Sequence, residues 1–431
     1  MLNPFHVDKA DQATLSQLQV DLQSQFDQLK QDKLSLDLTR GKPSADQLSL
    51  SNSMDGILEG NYFSDSGTDS RNYGGLDGFP ETKAFAANIL KTAPEDILIG
   101  GNSSLTLMYH AVLFANLFGL NESQSAWNNE NGVKFLCPVP GYDRHFSICQ
   151  ELGIEMVPVP MDENGPIMDK VEALVKADSS IKGIWCVPRF SNPTGITYST
   201  DTVERIAKLG TYSASNFCVF WDNAYAVHYC EPNAKDVSSL MDFAKEYGTE
   251  DNVMLFGSTS KITFAGSGLS YMASSSKNLA AFKKHLGMLS IGPDKINQLR
   301  HLKFFGNRAG LDQHMQKHAD LLKPRFDAVL SALDENFTSS SALTWTKPEG
   351  GYFISVDAQP GLARKIIELA ASLGVKLTPA GATFPYGKDP EDKNIRLAPS
   401  FPTIEEITKA MEVFVLCVKL ATVEQQLSKA S

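Results

Sequence analysis

Short apolar runs alternate with amphipathic stretches between about residue 80 and residue 275. Runs of this length that are rich in Val, Ile, Leu and Phe and separated by helical segments predict buried strands of a parallel sheet. We therefore expect an α/β fold in which helices flank a large, mainly parallel sheet. The predicted strands cover residues 96–99, 133–137, 154–159, 181–187, 217–221 and 253–256.

The segments on either side of this region have a different pattern. A helical stripe of apolar residues runs along a Gln-rich segment near the N-terminus. After about residue 310, helical segments alternate with strand-like runs up to a final helix over 404–425. This pattern is typical of a smaller α+β domain. We predict an N-terminal segment over 1–55 that is part of the small domain, a large domain over 56–310 and a C-terminal small domain over 311–431.

Composition and charge narrow the possible partners. The chain has 431 residues, 42% hydrophobic and 21% charged, which is ordinary for a globular protein. Its formal net charge of -11 disfavours nucleic acids and anionic membranes as partners. The N-terminus resembles no signal peptide and no apolar stretch is long enough to span a bilayer. The six cysteines include no CxxC pair. We expect a cytoplasmic protein that binds no metal.

Polar residues follow several of the predicted strands directly. Lys261 ends the segment GSTSK, Asp222 ends the run FCVFWD, and Asn192 lies in the turn SNPTG. Ligands of open α/β sheets bind beyond the carboxyl ends of the strands, so these side chains should converge on one site. A lysine in such a place is partly desolvated, which lowers its pKa and makes its amine a nucleophile. Taken alone, Lys261 would more often be a solvated loop lysine.

Asp222 requires a partner for its charge. A carboxylate that follows five apolar residues is costly to bury unless a cation meets it, and a protonated pyridine ring is such a cation. The competing interpretation is a helix N-cap. The side chain of Asn192 can donate a hydrogen bond to a ring oxygen, and Tyr225 is close enough along the chain to reach the same ligand.

The three motifs together, SNPTG, DNAY and STSK, resemble the class I aminotransferases of fold type I, over nearly the whole chain. This resemblance implies that pyridoxal 5'-phosphate is the cofactor, that Lys261 binds it covalently and then moves the substrate proton, and that Asp222 pairs with the pyridine nitrogen. It also implies that Asn192 and Tyr225 bond the ring oxygen. Tyr142 matches an aromatic residue stacked on the ring. His145, in the same segment, matches a histidine that supports the aspartate in some members.

The resemblance also implies a phosphate site and a dimer. The free backbone N–H groups at the start of a predicted helix, at Asn102, Ser103 and Ser104, would bind the phosphate, with the hydroxyl of Ser258. Tyr73 matches a tyrosine that reaches the phosphate of the neighbouring subunit, which implies a homodimer with shared active sites.

One arginine of the family pattern is missing. The family usually has an arginine eight residues after the lysine, but here the stretch ITFAGSGLSYM contains none. Ser267 or a basic residue from elsewhere would have to replace it. This departure resembles a divergent bacterial branch of aspartate aminotransferases that is related to the aminotransferase domain of MocR-type regulators.

The substrate carboxylate has its own candidates. Arg396, in NIRLAPSF, matches the arginine that holds the α-carboxylate through a bidentate pair, and Gly41 matches a glycine beside the same group. Asn192 would also contact the substrate. A dicarboxylic substrate needs a second cation for its side-chain carboxylate. The candidates are Arg40, Lys42, Arg144 and Arg308, of which we favour Arg40.

These residues predict ping-pong transamination, with L-aspartate and 2-oxoglutarate as the expected substrates. Two alternatives remain on the same scaffold, namely an alanine- or aromatic-type aminotransferase and a β-lyase. A third, from another class, is a regulatory protein that binds the cofactor without turnover. The presence of Lys261, Asp222 and Arg396 in the same chain favours an enzyme over such a regulator.

Overall fold

The computed structural model describes residues 5–7, 10–130 and 132–430. Its helices are α1 (Gln12–Leu29), α2 (Ala45–Ser49), α3 (Pro80–Leu90), α4 (Ser104–Phe118), α5 (Asp143–Glu151), α6 (Met168–Ala177), α7 (Thr200–Lys208), α8 (Leu240–Tyr247), α9 (Ser276–Leu286), α10 (Lys295–Phe305), α11 (Arg308–Phe337), α12 (Ala363–Ser372) and α13 (Ile404–Ala430). Its strands are β1 (Leu36–Asp37), β2 (Ile97–Ile99), β3 (Lys134–Val139), β4 (Glu155–Asp162), β5 (Gly165–Pro166), β6 (Ile181–Cys186), β7 (Cys218–Asp222), β8 (Val253–Ser258), β9 (Ser270–Ser274), β10 (Leu343–Trp345), β11 (Ile354–Ala358), β12 (Val375–Lys376) and β13 (Asn394–Leu397).

The large sheet has eight strands in the order β2-β9-β8-β7-β6-β3-β4-β5. Its centre, from β8 through β7, β6 and β3 to β4, is parallel, whereas β2, β9 and β5 pair antiparallel with their neighbours. Each of the six predicted runs overlaps one strand of this sheet. Strand β9 was not predicted; it lies between β2 and β8 and carries Ser and Tyr instead of a continuous Val/Ile/Leu run.

The sheet is buried on both faces. In β7, Cys218 and Phe220 pack into one apolar cluster, whereas Val219 and Trp221 pack into another on the opposite face. Side chains of a strand alternate between faces, so a strand that is apolar at every position needs helices on both sides. The predicted fold class, a mainly parallel sheet flanked by helices with a smaller α+β part, is confirmed.

A separate apolar cluster joins the two ends of the chain. It contains Phe5, Leu15 and Leu22 from the N-terminal segment together with side chains of α11, α12 and α13 and of the antiparallel sheet β10-β11-β13. Strand β1 pairs in parallel with β12, which adds a backbone link. Helix α11 runs across the predicted boundary at 310/311, and the division into domains stays a prediction.

Two further properties concern only the described residues. None of their helices is both long and apolar enough to cross a membrane. Within the same residues, no group of three or more His, Cys, Asp or Glu side chains is arranged to hold a metal ion.

Candidate active site

A cavity of about 140 Å³ lies where the parallel strands end. Each strand contributes the residues that follow it, because parallel strands place their carboxyl ends at the same edge of the sheet. The structure brings eight of the predicted residues together in its wall: Ser103, Ser104, Tyr142, Asn192, Asp222, Tyr225, Ser258 and Lys261. Ser260, which was not predicted, also lines it.

Asp222 ends β7 and is 2% exposed. Its Oδ2 accepts a hydrogen bond from His145 Nε2 at 2.9 Å, and the His145 ring stacks on Trp185 with centroids 4.3 Å apart. Its buried Oδ1 has no hydrogen-bond partner among the residues that the structure describes. One oxygen of this carboxylate is therefore fixed, and the other remains free to accept from a ligand in the cavity.

Lys261 follows β8 and is only partly accessible to solvent. Burial lowers the pKa of its amine, and the nearby negative charge of Asp222 opposes that shift. The Nζ atom lies 5.2 Å from the centre of the buried Tyr225 ring. Across the described part of the chain, no hydrogen bond or ion pair to this Nζ was found. A larger share of neutral amine is what a nucleophilic lysine requires.

Buried side chains hold the backbone of the lysine loop. The Lys261 carbonyl oxygen accepts from Tyr352 Oη at 3.1 Å and lies 3.3 Å from His228 Nε2. The next carbonyl, of Ile262, lies 2.7 Å from His314 Nε2 and 2.9 Å from His318 Nε2.

These contacts were missed by sequence reasoning. Tyr352 was not among the predicted site residues, and the one-turn spacing of His314 and His318 on α11 was the only signal for the histidines. Gln47, on α2, extends the network, because its amide donates to Tyr352 Oη at 3.1 Å and lies 3.1 Å from His318 Nδ1.

Arg396, on β13, is 8% exposed and reaches the same region. Its Nη1 donates to Asn192 Oδ1 at 3.2 Å and its Nε to Thr378 Oγ1 at 3.3 Å. Since Asn192 uses its oxygen for this contact, its NH₂ group is left to donate into the cavity. Nη1 also pairs with Asp143 Oδ1 at 3.2 Å, a contact that the sequence did not predict.

Gly41 lies beside Arg396 through a shared aromatic ring. The Arg396 guanidinium stacks 4.8 Å from the centre of the Phe353 ring. A Cβ atom on Gly41 would come within 2.2 Å of that ring, so only glycine fits there without a shift of the ring. The structure thus brings two of the predicted substrate residues to one place.

Helix α4 begins at Ser104 with Ser103 as its N-cap, and both residues line the cavity. The preceding Asn102 accepts at its carbonyl from Ser260 Oγ at 2.8 Å and donates from its amide to the Gly266 carbonyl at 3.4 Å. The first N–H groups of a helix have no partner within the helix and attract anions. Apart from Lys261, the wall includes no Lys or Arg within the described ranges.

The remaining predicted residues lie outside the cavity wall. Tyr73 is 82% exposed. Arg40 and Arg144 are exposed, Lys42 lies 3.9 Å above the Phe401 ring, and Arg308 pairs with Asp312 on its own helix. Their predicted roles stay predictions.

Comparison with known proteins identifies the family of the chain. A family model described as aspartate amino-transferase matches residues 10–430. An aspartate aminotransferase of Corynebacterium glutamicum is 45% identical over 405 residues, which cover 94% of this chain and 93% of that protein.

Solved structures are similar along almost the whole chain. The crystal structure of an aspartate transaminase from Corynebacterium glutamicum superposes with a TM-score of 0.94 at 43% identity, covering 98% of this chain and 99% of the other. LysN, an α-aminoadipate aminotransferase of Thermus thermophilus complexed with N-(5'-phosphopyridoxyl)-L-leucine, shares the fold at 20% identity, with a TM-score of 0.71 and coverage of 92% and 94%.

Proposed function

The chain belongs to the aspartate aminotransferase family, and we propose that it transfers the amino group between L-aspartate and 2-oxoglutarate in a ping-pong reaction. It is an enzyme, an aminotransferase that depends on pyridoxal 5'-phosphate. When bound, this cofactor supplies an electron sink that stabilises negative charge on the substrate carbon. The protein must hold the cofactor, orient the substrate and move a proton.

The unpaired oxygen of Asp222 is the observation that carries the assignment of the cofactor site. A buried carboxylate oxygen without a donor is costly, and a protonated ring nitrogen supplies both the donor and the opposite charge. The bond from His145 to the other oxygen holds the carboxylate in place. The residues in this wall therefore fit pyridoxal phosphate. Asp222 would keep the pyridine nitrogen protonated.

Lys261 would bind the cofactor covalently through Nζ and, once released by the substrate, carry the proton at the substrate carbon. Its lowered pKa supports both tasks, because each requires a neutral amine at neutral pH. The free NH₂ group of Asn192 and the hydroxyl of Tyr225 would bond the ring oxygen, and the Tyr142 ring would stack on the pyridine. All of these residues line the same cavity.

The phosphate would lie at the start of α4. Ser103 and Ser104, at the start of α4, and Asn102, just before it, offer backbone N–H groups, and Ser258 lines the same cavity. A helix terminus and hydroxyl groups stabilise an anion without a fixed cation. They are the donors that this chain offers in place of the arginine that is missing after Lys261.

The two carboxylates of aspartate need separate cations. Arg396 would bind the α-carboxylate, with Gly41 leaving room for it beside Phe353. For the side-chain carboxylate we propose Arg40, which adjoins Gly41 and is exposed in the single chain. An unpaired carboxylate is strongly disfavoured once it leaves water, so selectivity for aspartate over alanine requires such a second cation.

We further propose a homodimer in the cytoplasm. Tyr73, Met288, Leu289 and Ile291 are each more than half exposed, and an apolar surface of this kind is typical of an interface between proteins. Burial there would bring Tyr73 towards the phosphate of a second subunit. The six cysteines are unpaired and buried, which suits a reducing compartment.

The substrate proposal is tested by a half-reaction screen of the purified enzyme. The change in cofactor absorbance is followed with aspartate, glutamate, alanine and aromatic amino acids, together with keto acid formation. Aspartate should react with the highest kcat/KM, and Lys261→Ala should give no turnover. Release of ammonia would indicate the β-lyase alternative. Cofactor binding without keto acid formation from any amino acid would indicate the regulatory one.

The role of Arg40 is tested by Arg40→Leu. Loss of one partner of a desolvated charge pair should cost roughly 2–5 kcal/mol, and the loss should appear in kcat/KM for aspartate but not for alanine. Arg364→Leu, which removes an exposed arginine from the surface of α12, is the matched control and should change neither. If Arg40→Leu keeps its preference for aspartate, the second cation is another residue. If the unmodified enzyme does not prefer aspartate, the substrate proposal fails while the assignment as an aminotransferase remains.

A further inference from the structure

An acidic side chain of the protein occupies part of the proposed carboxylate site. Asp143 is the first residue of α5 and directly follows Tyr142, which lines the cavity. Its Oδ1 lies 3.2 Å from Nη1 of Arg396. The arginine side chain is 9% exposed, whereas the aspartate side chain is 39% exposed. A buried cation thus meets an anion at the rim of the site.

The geometry of this ion pair allows a substrate carboxylate to replace Asp143 at Arg396. Guanidinium and carboxylate groups bind most strongly through two parallel N–H···O bonds, but only Nη1 contacts Asp143. The same Nη1 also donates to Asn192, and Nε donates to Thr378. Among the described residues no contact to Nη2 was found. Arg396 is therefore held from three sides and still has a donor group for a second carboxylate.

We propose that Asp143 determines substrate affinity by competing with the α-carboxylate of the substrate for Arg396. The inference rests on the proposed role of Arg396. A substrate carboxylate that binds Arg396 through two bonds must either displace Asp143 or lie next to its negative charge. Asp143 can turn into water because it is partly exposed, whereas Arg396 is fixed by Asn192 and Thr378. Asp143 supplies the counter-charge of Arg396 between turnovers and weakens the binding of every carboxylate substrate.

The competition predicts the direction in which carboxylate affinity changes when Asp143 is removed. If a site is available for only part of the time, its apparent dissociation constant rises by the inverse of that fraction. A partly exposed ion pair is worth little, so the change on removing Asp143 is modest, roughly two- to tenfold. Asp143→Asn should therefore bind carboxylates more tightly than the unmodified enzyme. A residue that only positioned Arg396 would give the opposite result.

The test uses maleate, an unreactive dicarboxylate without an amino group, titrated into the holoenzyme by calorimetry at fixed ionic strength. We expect a dissociation constant two- to tenfold lower for Asp143→Asn than for the unmodified enzyme, and a lower KM for aspartate. Asp143→Glu keeps the charge and should stay close to the unmodified enzyme. Glu151→Gln removes one negative charge from the exposed far end of the same helix and is the matched control, with no change expected.

Equal or weaker maleate binding by Asp143→Asn overturns the proposal. If Asp143→Asn does not fold, Asp143→Ser carries the same test, because it also replaces the carboxylate by a small, uncharged polar side chain. Arg396→Gln separates this proposal from the one on which it rests. If Arg396→Gln binds maleate as well as the unmodified enzyme, the assignment of Arg396 is wrong, whatever the result for Asp143.

Discussion

The two oxygens of Asp222 lie in different surroundings, and this difference matters for the chemistry. Oδ2 is held by His145, whereas Oδ1 has no partner among the described residues. A carboxylate with both oxygens bonded by the protein would have less to offer a ligand, and one with neither bonded could turn. Fixing one oxygen aims the other, so the charge of Asp222 is available at one point in the cavity.

We predict that the charge of Asp222 matters more for turnover than the shape of its side chain. Asp222→Asn keeps the size of the side chain but loses the negative charge, so an unprotonated pyridine becomes favoured and the electron sink weakens. Turnover with aspartate should fall at least about a hundredfold, and cofactor affinity should fall with it. Asp222→Glu should lose less than Asp222→Ala. Asp251→Asn, which breaks a surface pair with Lys277, is the control and should keep full activity. Equal rates for Asp222→Asn and the unmodified enzyme would exclude the assigned role.

At the scale of elements, the loop that carries Lys261 is fixed by side chains from distant parts of the chain. Tyr352 precedes β11, Gln47 belongs to α2, and His314 and His318 are one turn apart on α11. The bonds end on the backbone carbonyls of Lys261 and Ile262 and leave the amine of Lys261 free. The N-terminal segment and the lysine are therefore joined through one buried network. Such networks are costly when a member is left without its partner.

We predict that Tyr352→Phe lowers the free energy of unfolding by about 1–3 kcal/mol. The change leaves Gln47 without an acceptor at this point, and the Lys261 carbonyl keeps only the longer contact to His228. Urea denaturation at fixed protein and cofactor concentration measures the loss. Tyr109→Phe is the control, since no hydrogen bond of its hydroxyl was found within the described residues, and it should change the free energy by less than about 0.5 kcal/mol. If both variants unfold at the same urea concentration, the network does not contribute to stability.

At the scale of the whole molecule, buried histidines link folding to pH. Burial lowers the pKa of His228 to about 3 and the pKa of His301 and His318 to about 4. Histidines of the unfolded chain titrate near 6.5. Between about pH 6.5 and pH 4 the unfolded state thus binds more protons than the folded state. The free energy of unfolding must therefore fall as the pH is lowered through this window.

We predict a loss of roughly 2 kcal/mol per buried histidine between pH 7 and pH 5. His301→Gln should reduce the slope of the free energy of unfolding against pH by up to the amount that one bound proton contributes, because one titrating group is removed from the unfolded state. Denaturation at pH 7.5, 6 and 5 measures that slope. Above pH 7.5 neither state protonates these rings, so the two slopes should agree there. An unchanged slope between pH 6 and pH 5 would show that His301 does not remain neutral in the folded protein.

The candidate site could be predicted from the sequence where its residues follow strands directly. Lys261, Asp222 and Asn192 each come just after a buried apolar run, and the carboxyl ends of parallel strands meet at one edge, so their convergence follows from the chain itself. The fold class follows in the same way, because strands without polar alternation require cover on both faces. Strand β9, between β2 and β8, was missed because its pairing is antiparallel and its residues mix polar and aromatic types.

The sequence by itself determined the fold class, the cofactor and the residues at the strand ends, because each of these depends on local patterns and on motifs that keep their order along the chain. Only the tertiary structure decided which oxygen of Asp222 is free, which side chains hold the lysine loop, and that Asp143 pairs with Arg396. These features join residues far apart in sequence, and a side chain's partner depends on how separate elements pack. Burial, which lowers the pKa of Lys261 and of the histidines, likewise exists only once those elements have assembled.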